Sequence, residues 1–328
     1  MFLLKAFTIV VALLLAFGGL VGIAAKQKQQ KGELEITSLS EKLLDIEEHA
    51  RELILSKDEL KAWKKEQKQA EKKDKSKEKS GKVFVIDFKG SMDAHEVESL
   101  RQEVSTIITL AEEKDEVLIR LESPGGVVHG YGLAASQLQR LRDHNIPITA
   151  SVDMVAASGG YLMACVANKV IAAPFSILGS IGVIAQLPNF NKLLKHNHIE
   201  YEQHTAGNFK RTITMFGENN DAGREKFQEE LEDVHVMFKD FVSSHRPDID
   251  IAKVATGETW HGIKAKEVGL IDEIKTSDDF LLEIYKEKPV FKVEFRMKQS
   301  VAEKLAGSVS LTLNNLLSKL WEKNQTRI

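Results

Sequence analysis

The 328-residue chain has one cysteine, six prolines and no Walker-type Gly-Lys-Ser/Thr loop. A lone Cys165, set in the apolar stretch 161–167, excludes an intrachain disulfide framework and reads as core packing before it reads as a reactive thiol. So few prolines, with 43% apolar and 28% charged residues, exclude wholesale disorder. Without a phosphate-cradling loop the chain shows no ATP-driven motor of its own. Charge of one sign is also scarce overall, at net −3, but it is unevenly spread. Residues 1–82 hold 17 Lys/Arg against 13 Asp/Glu, which leaves 28 against 35 for residues 83–328. An acidic body argues against nucleic acid as the main partner. There is no internal repeat.

What is present begins with Ala6–Ala25, twenty residues without a charge. At ~1.5 Å per helical residue this run spans a hydrocarbon layer of ~30 Å, so residues 1–25 are expected to form a transmembrane signal anchor inserted in the lipid bilayer. Lys5 before it and Ala24-Ala25 at its end leave a cleaved secretory signal as the alternative. Residues 26–82 form the next segment. Leu39, Leu43, Leu44, Ile46, Leu53, Ile54 and Leu55 fall at helical spacing, which predicts a juxtamembrane amphipathic helix over 32–60 able to pack on a neighbouring copy. Residues 61–82 carry 10 Lys against 4 acids, a composition that predicts a solvated Lys-rich linker, with binding to anionic lipid headgroups as the alternative. Lys26, Lys28 and Lys31 outnumber Lys5, and counting flanking positive charge alone would keep the body in the cytoplasm.

From Val83 the pattern alternates. Strands are predicted at 83–88, 117–121, 148–152, 169–173 and 199–205, with helices at 94–111, through Leu141, at 161–168 and at 222–244. Alternating β and α units imply an α/β domain over 83–289 with a mostly parallel sheet covered by helices. In the long helix, Phe227, Leu231, Val234, Phe238 and Phe241 make a stripe suited to the core or to another subunit. Residues 290–328 are expected to form a strand, 291–295, and a helix near 302–321, a candidate oligomer contact.

Two glycine pairs follow predicted strands, in Ser123-Pro124-Gly125-Gly126 and in Ala157-Ser158-Gly159-Gly160. Glycine permits close approach of a foreign backbone, and N–H groups at a helix start are ready donors to developing negative charge. Ser158 lies where a strand-to-helix turn would expose its hydroxyl as a nucleophile; the competing reading is an ordinary helix N-cap. No histidine occurs between Ser158 and His196 to serve as its base. A lysine can serve instead if burial pulls its pKa down from ~10.4, and Lys210 is the candidate, 52 positions on.

Glu122-Ser123-Pro124-Gly125-Gly126, Ala156-Ala157-Ser158-Gly159-Gly160-Tyr161, Gly179-Ser180-Ile181-Gly182-Val183, Gly207-Asn208-Phe209-Lys210 and Gly269-Leu270-Ile271-Asp272 resemble the successive motifs of the signal peptide peptidase A family of membrane-bound serine peptidases. The single catalytic unit, the anchor and the charged segment resemble its SohB branch. The resemblance implies a ClpP/crotonase-like spiral fold, Ser158 as nucleophile, Lys210 as general base, Ser180 as the residue orienting the lysine amine, and oxyanion donors from Gly159 and the Gly125-Gly126 turn. It implies peptide hydrolysis without a cofactor, homo-oligomeric assembly, and a body on the periplasmic face of a Gram-negative inner membrane, against the lysine count. Glu122 departs from the family, where Asn is common, and puts substrate binding at that turn in question.

Two other constellations compete. His198, Glu200, Glu202 and His204 would share one face of the predicted strand 199–205, but such a face is more often solvated than metal-bound. His95-Glu96 begins like a zinc-peptidase helix, yet Ser99 stands where the second His is needed. No metal is expected. The alternative function is a catalytically quiet crotonase-fold scaffold or an acyl-CoA enzyme.

Overall fold

The computed structural model of the chain describes residues 32–74 and 81–297. The predicted anchor, Ala6–Ala25, and the predicted helix near 302–321 lie outside these residues. Among the described residues no helix is long and apolar enough to cross a membrane. Among the described residues, 36–294 form one compact unit.

The elements run β1 (Gly32–Ser38), α1 (Leu39–Ile54), α2 (Lys57–Asp74), β2 (Val83–Lys89), α3 (Val97–Leu110), β3 (Glu116–Glu122), α4 (Val128–Asp143), β4 (Ile148–Val152), β5 (Val155–Ala157), α5 (Gly159–Ala164), β6 (Lys169–Ala172) and β7 (Ile177–Gly179). The carboxy-terminal half adds α6 (Asn191–His196), α7 (Asp221–His245), α8 (Ile251–Val254), β8 (Thr259–His261), α9 (Gly262–Glu267), β9 (Glu273–Ile274), α10 (Ser277–Ile284) and β10 (Val290–Met297). Seven strands form one sheet in the order β1-β10-β2-β3-β4-β6-β9, and β10·β2, β2·β3, β3·β4, β4·β6 and β6·β9 are all parallel. A second sheet, β5-β7-β8, pairs β5 with β7 in parallel and β7 with β8 antiparallel. The fold is mixed α/β.

Near-continuous apolar strands are what a sheet covered on both faces requires. Phe84, Ile86, Phe88, Val117, Ile119, Leu121, Ile148, Ala150 and Val152 project into the larger core, with Leu100, Val104, Tyr131 and Leu138 from α3 and α4. Val83, Val85 and Leu118 face the other way, onto Leu281 and Tyr285, with Leu39 and Leu43 of α1 closing that layer. The amphipathic seam of α1 therefore packs on its own body. Ser40 Oγ accepts from the Val290 N–H at 2.9 Å, and Tyr285 donates its hydroxyl to Glu47 at 2.9 Å.

Several sequence expectations change here. Residues 32–38, read as the start of a helix, form β1, because Gly-Glu-Leu-Glu-Ile-Thr-Ser alternates with period two. The Lys-rich segment, read as a solvated linker, is helical as far as Asp74. The predicted strand 199–205 does not exist; it has no neighbouring strand to bond, and the segment from 197 to 220 is irregular. In α7 the stripe does reach the core, through Phe238, Phe241 and Val242. The carboxy-terminal strand joins the main sheet beside β2, with Val290 opposite Val83.

Candidate active site

The site lies where parallel strands deliver their carboxyl ends, the position at which open α/β sheets hold ligands. After β3 the chain turns through Ser123-Pro124-Gly125-Gly126 into α4. After β5 it turns through Ser158 into α5. The two turns are stitched together: the Ser123 N–H donates to the Val155 carbonyl at 2.8 Å, and the Ala157 N–H donates to the Ser123 carbonyl at 3.0 Å.

Ser158 has φ 52° and ψ −119°, a conformation that glycine adopts freely and that costs other residues about 1–3 kcal/mol. Its N–H is held by the Gly179 carbonyl at 2.7 Å, and its carbonyl accepts from Leu162 at 3.0 Å to start α5. Although it occupies the N-cap position, its side chain makes no capping hydrogen bond. The N-cap reading therefore fails, and a strained, half-exposed serine with a free hydroxyl remains. This is the strand-to-helix geometry of a nucleophile on a sharp turn.

Glycine is required around it. Gly125 has φ +88°, and a Cβ there would lie 2.7 Å from the Ala157 carbonyl oxygen and 2.7 Å from Ser158 Cβ. A Cβ on Gly160 would lie 2.6 Å from the Ser123 carbonyl oxygen, and one on Gly159 would run into the Tyr131 ring. The Gly125 N–H is engaged by Ser123 Oγ at 3.1 Å. Among the described residues no hydrogen bond engages the N–H of Gly126 or of Gly159. Two uncommitted donors thus remain, one directly after Ser158 and one in the turn packed against it through Gly125, and the donor left in that turn is Gly126 rather than Gly125.

Strand β7 brings in the next predicted residue. Ala157 pairs with Gly179, so the following pair of positions is Ser158 and Ser180. Ser180 has φ 52°, and its N–H donates to the Glu258 carbonyl at 2.6 Å. Lys210 is elsewhere in kind: residues 195–211 are exposed without a break, and no hydrogen bond or ion pair engages the Lys210 ammonium or the Ser158 hydroxyl among the described residues. The structure thus brings Ser158, Gly159, Gly125, Gly126 and Ser180 together, and it does not join Lys210 to them.

The last of the five motifs has a structural task. Asp272 accepts from the Val170 N–H at 2.7 Å and from two Arg246 nitrogens at 2.8 Å each, fixing the end of α7 to β6. Burial opposes its charge, but these donors outweigh it and hold the carboxyl below its ordinary range. Tyr161 donates to the Leu270 carbonyl at 2.8 Å beside it. Cys165 is buried, and burial raises its thiol pKa far above the ordinary value, as a core residue requires. The set His198, Glu200, Glu202 and His204 stands exposed on an irregular segment, so the shared strand face expected of it is absent. Among the described residues no group of His, Cys, Asp and Glu could hold a metal ion. Sequence reasoning missed Tyr131 of α4, whose hydroxyl meets Ser123, and the Met92 backbone, which lies against Gly126 and accepts from the Val127 N–H. No local pattern marks them.

A serine at a strained turn, next to uncommitted N–H groups on an α/β scaffold, defines a hydrolase-like class of site. Family models agree with that class: "Peptidase family S49 N-terminal" matches residues 1–138 and "Peptidase family S49" matches residues 140–290. The chain belongs to peptidase family S49 and is a peptidase. It is 46% identical to "Probable protease SohB" of Haemophilus influenzae over 97% of this chain and 94% of that one. It is 50% identical to "Probable protease SohB" of Buchnera aphidicola subsp. Schlechtendalia chinensis over 86% of this chain and 97% of the relative. The resemblance read from the five motifs therefore stands. Among solved structures, a variant of the 1510-N membrane-bound stomatin-specific protease matches with a TM-score of 0.41 and 15% identity, covering 62% of this chain and 84% of that one.

Proposed function

We propose that the protein is a membrane-anchored serine endopeptidase that hydrolyses apolar peptides, such as signal peptides or membrane-protein fragments, through an acyl-enzyme. Ser158 is the nucleophile, Lys210 the general base and Ser180 the residue that orients the lysine amine. One observation supports this reading above the others: Ser158 combines a strained backbone with a hydroxyl that makes no capping bond, and the Gly159 N–H that follows it is uncommitted. A neutral Lys210 amine would take the Ser158 proton as Oγ bonds to the peptide carbonyl carbon. The two N–H groups would then receive the negative charge on the carbonyl oxygen. Collapse breaks the C–N bond, the lysine returns its proton to the leaving amine, and water, activated by the same amine, releases the acid.

A lysine works as a base only where water is kept from its amine. Lys210 therefore needs a cover, supplied by a movement of its own segment or by a second copy of the chain. The surroundings favour a homo-oligomer: Ile184, Leu193, Ile199 and Phe209 are 78%, 57%, 53% and 59% exposed, an apolar surface whose burial would dehydrate the amine. The mixed sheet arrangement suits the ClpP/crotonase-like spiral that the motifs imply. With Ala6–Ala25 as an uncleaved anchor in the inner membrane, the body would stand on the periplasmic side. An alkaline phosphatase fused after Asp272 should then be active; an inactive fusion with a bright cytoplasmic reporter would place the body inside.

Hydrolysis of a fluorogenic apolar peptide by the full chain tests the dyad. Ser158→Ala and Lys210→Arg should each lower kcat by about 10⁴-fold or more, because a guanidinium cannot accept the proton. Appreciable turnover by Lys210→Arg would remove lysine from the mechanism. A wild type without turnover would favour the quiet scaffold.

A further inference from the structure

The first glycine turn is held by a chain of hydrogen bonds whose direction is fixed by chemistry. Tyr131 Oη lies 2.8 Å from the Ser91 carbonyl oxygen, which can only accept, so the phenol proton is committed there. The Gly125 N–H can only donate, so Ser123 Oγ accepts it, at 3.1 Å. The link between them, Ser123 Oγ to Tyr131 Oη at 2.5 Å, must then run from the serine hydroxyl into the phenol oxygen. The order is Gly125 N–H, Ser123 hydroxyl, Tyr131 hydroxyl, Ser91 carbonyl, with every proton used once. Ser123 and Tyr131 are both 0% exposed, so no bulk water competes for these bonds. Burial raises the Tyr131 phenol above its ordinary pKa, against the pull of the Ser123 bond, and keeps the donor protonated.

The same residue reaches the second turn. A Cβ on Gly159 would run into the Tyr131 ring, so that ring is the floor under the Gly159 backbone. A Cβ on Gly90 would run into the Tyr131 hydroxyl and lie 2.7 Å from Ser123 Oγ, so the tyrosine is closed in from a third side. Phe88 holds the ring edge-on, with centroids 6.4 Å apart and planes at 76°. The far end of the turn is pinned separately, by the Val127 N–H on the Met92 carbonyl at 2.9 Å. The Gly125–Gly126 peptide lies between these two held points, and Gly125, at φ +88°, has no side chain.

We propose that Tyr131 is a positioning residue for the peptidase reaction: its hydroxyl, through Ser123, fixes the Pro124–Gly125 peptide from which the chain turns to the Gly126 N–H, and its ring supports the Gly159 backbone. The inference rests on the assignment of Ser158 as nucleophile and extends it to the residue that ties both oxyanion donors to one rigid group. An oxyanion donor acts only when aimed at the charge that develops in the transition state, so losing the aim should cost kcat and spare substrate binding.

The test is Tyr131→Phe in the full chain, which deletes one oxygen and keeps the ring. We expect kcat for a fluorogenic apolar peptide to fall by about 10–100-fold, with KM changed by less than about 3-fold. Affinity for a tri-leucine peptide aldehyde, which forms a tetrahedral adduct, should fall by a similar factor. Ser123→Ala should show the same pattern, and the double variant should be no worse than the poorer single one, since both cut the same chain. If Tyr131→Phe fails to fold, Ser123→Ala decides the matter. A variant that melts lower but keeps wild-type kcat and aldehyde affinity would overturn the inference while leaving Ser158 in place. Full hydrolysis by Ser158→Ala would instead overturn the nucleophile assignment, and this inference with it.

Discussion

Around Ser158 the neighbouring backbones interlock: β5 is bonded to the turn after β3, the Ser158 N–H is fixed to β7, and three glycines leave no room for a methyl group. Around Lys210 the reverse holds. Residues 195–211 are all exposed, and a Cβ on Gly207, at φ +95°, would meet nothing within 4 Å. The Phe190 N–H donates to the Met215 carbonyl at 2.7 Å, Asn191 donates to the Phe216 carbonyl at 2.9 Å, and within the segment the Tyr201 ring meets Phe216 and the Phe209 ring lies under the Lys226 ammonium. The contrast separates what one chain can preorganise from what it cannot. Oxyanion donors and a strained hydroxyl can be built from backbone and buried contacts, whereas a neutral amine needs water removed, and an exposed segment does not remove it.

Two glycine substitutions measure that contrast directly. Gly125→Ala should have the largest effect, because the new methyl meets both the strained backbone and Ser158: activity should fall by about 100-fold or more, with a stability loss of about 1–3 kcal/mol. Steady-state hydrolysis and denaturant unfolding would check it, and a Gly125→Ala enzyme of normal activity would show that the turn adapts. An intermediate effect is expected at Asp272, which fixes the far end of α7 to the sheet. Asp272→Asn should lose about 2 kcal/mol at neutral pH, the scale of a charge-assisted hydrogen bond. Because the folded carboxyl titrates below its unfolded value of ~3.9, that contribution is full above about pH 4 and lost as pH falls through the folded value. The wild type should therefore lose its advantage over Asp272→Asn in acid; a gap that does not narrow as pH falls below about 4 would contradict the ion-pair account. Gly207→Ala should be mildest, about 1 kcal/mol or less in stability, since only backbone strain opposes it. A loss as large as that of Gly125→Ala would mean that the Lys210 segment is as constrained as the serine turn.

The elements legible in the sequence were those whose own residues demanded burial. Val83–Lys89, Glu116–Glu122 and Ile148–Val152 are apolar runs that only a covered sheet can satisfy, and Phe238 and Phe241 mark the buried face of α7. The three-residue strands β5, β7 and β8 left no trace, because three residues show no periodicity and their partners are distant in the chain. The alternation at 199–205 misled for the opposite reason: a period-two pattern makes a strand only when a neighbour supplies hydrogen bonds. At the site, Ser158 and its glycines were readable from the demand for space and left-handed backbone, while Lys210 was one candidate among many lysines until the family resemblance singled it out, and Ser180 came from that resemblance alone. Tyr131 was invisible, since the bond to Ser91 spans 40 positions.

The nucleophile can be read most directly by incubating the full chain with a fluorophosphonate and mapping the adduct by peptide mass spectrometry. The account predicts a single adduct on the Ser158 hydroxyl, absent from Ser158→Ala and formed far more slowly by Lys210→Arg. An adduct on another residue, or labelling of Ser158→Ala at the wild-type rate, would contradict it.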